Sequence, residues 1–200
     1  LIDDKKFKKA LDNYMPTLSE GEGLTYGNAL NIALEVLAVS LKGNGTILTD
    51  TQERFNLAFK TGETICNLVE DQLVIRKILT KANFLNAVSV LLALGSNIHP
   101  IEILQSLCNQ SGTTFNNTTL ADLTNKTPLI ANLVPNGKTY VSELHTAGGI
   151  DAVMKSLLNV NALNTRGTNI FAESIENTIA KAPILNADVI SDAKVNTLLP

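Results

Sequence analysis

Two hundred residues are enough to bury a substantial core in a single domain. With 44% apolar and 18% charged residues and a net charge of −3, the chain has the composition of a globular protein and lacks the basic surface that phosphate-led nucleic-acid binding needs. Trp is absent and aromatics make up 4%, which excludes rows of stacking platforms for bases.

The chain opens on DDKKFKKALDNY (3–14), which reads as a short helix with a solvated lysine face, stopped by Pro16. LSEGEGLTYG (18–27) is a loop rich in Gly and Glu. It leads into an amphipathic or nearly buried helix over 28–41 with apolar Leu30, Ala33, Leu34, Leu37 and Leu41. KGNG (42–45) is a turn. Thr49 or Asp50 can cap a long helix running to about Leu73, with Glu53 at capping-box distance from Asp50.

VIRKIL (74–79) is a short connector, either a strand or a helix start. Thr80 caps a helix over 81–95 that is apolar almost all round and so should be buried, with Gly95 closing it. SNIHP is a turn, and Pro100 suits the first position of a helix over 100–109. The polar run 109–119 reads as a loop. Residues 120–138 give one helical turn, then PLIANLV, a candidate strand closed by the Pro135-Asn136-Gly137 turn. VSELHTAGGIDAVMKSLL (141–158) reads as a helical piece, a Gly148-Gly149 break, and a second helix. Ile150, Val153, Met154, Leu157 and Leu158 share one face of that second helix. A helix near 170–180 and an extended tail complete a single domain, 1–200, mainly α with a few short strands.

No apolar run approaches the ~20 residues that span a bilayer. The charged opening LIDDKKFKKALD is no signal peptide. A cytoplasmic protein with no membrane or nucleic-acid partner is expected. A first residue other than Met suggests a trimmed chain or an internal fragment.

Chemistry-bearing residues are few. Cys66 and Cys108 lie on apolar helical faces and read as buried free thiols. His145, beside the Gly-Gly break, can present its ring to a cleft or bond a backbone carbonyl. His99 stands at a helix N-terminus, where a neutral imidazole is favoured. Two distant His with no adjacent Cys give no zinc site, and no G-x-S-x-G elbow occurs. Glu20-Gly21-Glu22-Gly23 matches neither phosphate-loop spacing, and its carboxylates would repel phosphate. Two carboxylates alone make a poor cation site, so an acidic loop is the plainer reading.

Several stretches, in order, resemble the dihydroxy-acid and phosphogluconate dehydratase family. LHTAGGIDAVMKSLL (144–158) is similar to its L-H-x-x-G-G-x-x-x-V-M-K-x-L segment, and PLIANLVPNGK (128–138) to its P-x-I-A-x-L-x-P-x-G-K segment. LAVSLKGNGTI (37–47) resembles its L-P-G-N-G-T turn. LLALGSN (91–97) resembles the helix entering its G-G-S-T-N loop, and TRGTNIFAESI (165–175) its V-T-G-K-T-L-x-E-N segment. Dihydroxy-acid dehydratase is the nearer relative, on V-M-K and G-N-G-T.

The resemblance implies the helix-rich part of the family's N-terminal α/β domain, corresponding to that domain's second half. It also implies a family reaction, dehydration of 2,3-dihydroxy acids, that uses an iron–sulfur cluster and, in many members, Mg²⁺. The family's C-x-G-M-x-T-A-N-T-M motif reads GEGLTYGNAL (21–30) here: Gly21 takes the place of the cluster cysteine, while Gly23 and Asn28 persist. A glycine supplies no thiolate. Of the G-G-S-T-N loop only Gly95 is kept. No catalytic residue, metal ligand or cofactor is therefore expected in this chain. Asn28, His145, Gly148 and Gly149 remain as substrate-side or cleft candidates. Three readings follow: a partial or divergent dehydratase working with other dehydratase domains or as a homo-oligomer, a non-catalytic interaction module derived from that fold, and an unrelated helical binding domain.

Overall fold

The computed structural model describes residues 3–6, 8, 22–166 and 174–191. Most of the expected opening helix and acidic loop, Gly21 included, and the tail beyond 191 lie outside the described residues. Eight α-helices are described: α1 (Tyr26–Val36), α2 (Gln52–Glu70), α3 (Lys81–Ala93), α4 (Ile98–Gln110), α5 (Asn117–Lys126), α6 (Val141–Thr146), α7 (Gly149–Asn159) and α8 (Ile175–Ile179).

The centre is α3. Phe84, Ala87, Val88, Val90 and Leu91 are all fully buried, and α1, α4, α5 and α7 pack around them. A helix apolar on every face has to be enclosed, as its sequence predicts. The Thr80 hydroxyl accepts the Asn83 N–H at 3.3 Å and so caps it. Past its end Gly95 takes φ +75°, a left-handed conformation that glycine adopts without strain. The buried amide of Asn86 is satisfied by the backbone of Asn164, accepting its N–H at 2.7 Å and donating to its carbonyl at 2.9 Å.

Several boundaries differ from the sequence expectation, each for a local reason. α1 begins at Tyr26 and stops at Val36, because Ala38 turns to φ 59° and carries 37–41 out of the helix. The cap of α2 is Thr51, whose hydroxyl accepts the Arg54 N–H at 3.2 Å, rather than Thr49 or Asp50. VIRKIL contains a single 3₁₀ turn, Ile75–Lys77. α4 starts two residues before Pro100, capped by Asn97, which accepts the His99 N–H at 3.2 Å. Pro100 still falls in the first turn, where its missing N–H costs nothing. The Asn/Thr run is not all loop: Asn116 caps α5 by accepting the Thr119 N–H at 2.9 Å, so this helix is ten residues long and not one turn.

PLIANLV forms no strand. The N–H groups of Ile130 and Ala131 bond the Ala93 carbonyl at 2.8 and 3.2 Å, laying the segment on the end of α3. The strand expected in this segment reduces to an isolated bridge between Leu133 and Thr139 beside the Pro135 turn. The tail from Pro183 to Ser191 is fastened at both ends, with Leu185 N–H on the Ala147 carbonyl at 2.9 Å and Ser191 N–H on Ile130 at 3.1 Å.

α2 stands apart. None of its 19 residues is buried, and it packs against no other described helix. Cys66 is therefore exposed, contrary to the sequence expectation, whereas Cys108 is buried against the core and its thiol is pushed up by burial.

Candidate functional site

The glycine turn 42–46 is the junction beside which Asn28 and His145 lie. It is short because Gly45 sits directly on α1. A Cβ there would lie 2.6 Å from the Ile32 Cα and 2.8 Å from its backbone nitrogen, distances no side chain tolerates. Close seating brings the turn's N–H groups over Glu35 of α1. One carboxylate oxygen accepts from Gly43 and the other from Gly45, each at 2.9 Å. Burial pushes the Glu35 carboxyl up to about 7; the two N–H groups and Lys42 pull it down, and Asp151 adds to the rise. Lys42 itself pairs with Asp151 in the first turn of α7.

Arg54 of α2 reaches into the same turn, donating to the Asn44 carbonyl at 3.0 Å and to the carbonyl of Ile47. Burial lowers the Arg54 pKa, against the pull of Glu35 and Glu53. Between the turn, α1 and the start of α6 opens a cleft of about 350 Å³ whose wall includes Glu22, Asn28, Asn31, Asn44, Thr46 and Arg54. Its lining of amides, a guanidinium and a carboxylate suits a small polar molecule.

Asn28 lines the cleft and donates to the Gly23 carbonyl at 2.7 Å. His145 of α6 meets side chains rather than a backbone carbonyl: Nδ1 lies 2.9 Å from the Thr46 hydroxyl and Nε2 lies 3.3 Å from the Glu53 carboxylate. This hydroxyl–imidazole–carboxylate line has the connectivity of a nucleophilic triad, but Thr46 is only 2% exposed, so its oxygen is not offered to a substrate. The line joins the glycine turn to α6 and α2.

Gly148 and Gly149 do not form the cleft wall. Gly148 takes φ +125°, with the Pro183 carbonyl 2.4 Å from where a Cβ would be, and Gly149 takes φ +65° as α7 begins. They make the sharp corner that aims α6 and α7, as the sequence predicts for the break. His99 is exposed beside Glu102, away from this junction. Glu22 accepts from the Ser142 hydroxyl, which ties the described end of the acidic loop to α6.

Sequence reasoning passed over Glu35 and Arg54. Glu35 had a signal, as the one carboxylate within the apolar run NIALEVLAV. Arg54 had none, since its role depends on where α2 starts.

An iron–sulfur cluster does not fit the described donors. Its thiolates would have to come from Cys66, on the outer face of α2, or Cys108, buried in α4. Among the described residues, no three His, Cys, Asp or Glu side chains gather as a metal group.

Comparison with known proteins follows the same lines. The sequence model of the dihydroxy-acid/6-phosphogluconate dehydratase N-terminal region matches residues 1–178. Dihydroxy-acid dehydratase of Caldanaerobacter subterraneus subsp. tengcongensis is 32% identical over 94% of this chain and 34% of its own length. That of Clostridium beijerinckii is 34% identical over 91% of the chain and 34% of its own length, and that of Lachnospira eligens 33% over 88% and 31%. The chain thus spans about a third of the length of these relatives. The unrelated-domain reading is set aside: this chain belongs to the dihydroxy-acid and 6-phosphogluconate dehydratase family, matching its N-terminal region.

Proposed function

We propose that this chain is a divergent dihydroxy-acid dehydratase module, without dehydratase activity on its own, that works joined to other dehydratase domains in the cytoplasm. The family reaction is loss of water from a 2,3-dihydroxy acid to give a 2-keto acid, as in branched-chain amino-acid biosynthesis. The residues of this chain hold a polar cleft and a packed scaffold. Asn28, Asn31 and Arg54 line that cleft, which supports a role in orienting a polar group there.

The observation that carries this reading is the separation of the cleft from both thiols, together with Gly21 at the resemblance's cysteine position. Anaerobic reconstitution with ferrous iron and sulfide, followed by visible absorbance, tests it. The expected result is no stoichiometric chromophore after desalting. A stable cluster on the chain alone would overturn it.

A second reading, a non-catalytic module that associates with its own copies, is favoured by α2. Phe55, Phe59, Ile65 and Val69 are 55–71% exposed along it. They fall on one side of the helix with Gly62, where an added Cβ would meet nothing within 4 Å. These side chains expose a few hundred Å² of apolar surface, the scale of an interaction face. Light scattering of the wild type and of a Phe55→Glu/Phe59→Glu variant is the check. Self-association lost in the variant, with unchanged circular dichroism, supports this reading. A monomeric wild type at high concentration removes it.

A further inference from the structure

Glu35 is the part of the junction that the dehydratase reading leaves unused. It is the only side chain described as bonding the glycine turn through two backbone N–H groups at once, with one oxygen on Gly43 and the other on Gly45. Both contacts use the carboxylate as acceptor. A protonated acid keeps one good acceptor oxygen and turns the other into a hydroxyl, which donates and is a much weaker acceptor for an N–H.

We propose that Glu35 is a proton-operated latch on the turn 42–46: ionised, it holds both glycine N–H groups, and protonated, it lets one go and loosens the cleft wall. The neighbouring residues carry that loosening further. Thr46 meets the His145 ring at 2.9 Å, and Asn44 and Ile47 hold Arg54, so the turn cannot shift without disturbing its ties to α6 and α2.

The groups around Glu35 set where the latch works. The turn contributes Lys42, α7 contributes Asp151, and α2 brings Arg54 within its field. α8 contributes Ile175, Thr178 and Ile179 to the pocket beside Glu35, with no titratable group among them. Burial places the carboxyl at about 7, so the change of state falls near neutral pH. A folded value above the ordinary 4.5 means that Glu35's contribution is fully present below about pH 4.5 and is lost as pH rises towards 7. The latch is therefore fastened at the pH where it costs the fold most.

The inference does not depend on any dehydratase role, because its readout is the turn itself. The test follows the ¹⁵N–¹H signals of Gly43 and Gly45 through a pH titration of the whole chain. Both should move together with one midpoint near 7, and Glu35→Gln should abolish the movement. If that variant fails to fold, two others decide. Asp151→Asn should move the midpoint to lower pH, and Lys42→Met should move it to higher pH. His145→Gln should leave the glycine transition in place, which shows that the transition does not originate at the ring beside Thr46. Flat glycine signals across the neutral range, or midpoints that ignore both Asp151→Asn and Lys42→Met, would overturn the latch.

Discussion

Phe84→Ala should lower the unfolding free energy by about 3–5 kcal/mol, most of what a small domain has to spare. The residue is fully buried on α3, the helix that α1, α4, α5 and α7 all touch. Removing the ring takes apolar area out of the core, and the space it leaves is bounded by helices that are themselves pinned. α3 is capped at one end by Thr80 and closed at the other by Gly95. Asn86 ties its middle to Asn164 by two hydrogen bonds. A site so held collapses poorly, which places the cost towards the upper part of the range. Urea unfolding followed by circular dichroism measures it. A loss below about 1 kcal/mol would mean that the core relaxes around the gap and that α3 is not the fixed centre described here.

The second large effect belongs to Gly45→Val. The new Cβ would stand 2.6 Å from the Ile32 Cα, against backbone that cannot move aside. The turn must lift from α1, at a cost of about 1–3 kcal/mol for overpacking. Lifting also withdraws the Gly45 N–H from Glu35 and the Thr46 hydroxyl from His145, each 2.9 Å away in the native arrangement. Thermal unfolding should therefore fall by several degrees, and the nitrogen signals of the His145 ring should lose their dependence on Thr46. Gly62→Ala provides the contrast. No atom lies within 4 Å of its added Cβ, and the position is inside a helix, so α2 itself should gain about 0.5–1 kcal/mol while the main thermal transition stays in place. If both substitutions behave alike, close seating of the turn is not what Gly45 provides.

Much of this arrangement is legible in the sequence where one physical cause dominates. The all-round apolar pattern of 81–93 has a single outcome, a central helix, and the Gly148-Gly149 pair has a single use, a corner. Family motifs identify the chain because packing at such places admits few alternatives. The sequence is less informative where a local signal is decided by distant residues. PLIANLV has strand composition, but its N–H groups find the Ala93 carbonyl and no neighbouring strand. Asn116 reads as loop until its side chain is seen capping α5. Cys66 sits among apolar residues and reads as buried, yet the helix that carries it packs against no other described helix. Glu35 shows the same limit at the site. A lone acid in an apolar run can be recognised, but what it holds depends on how closely the turn some ten residues later returns to it.

The detachment of α2 has a consequence for how the molecule comes apart. A helix of 19 residues with no buried side chain contributes little to the cooperative core and is held chiefly at its start, where Arg54 grips the turn and Glu53 meets His145. Such a segment can melt and re-form while the other helices stay intact, because its opening exposes almost no new apolar surface. Unfolding is then two events of unequal size, and a single melting temperature describes the body of the protein and not its arm.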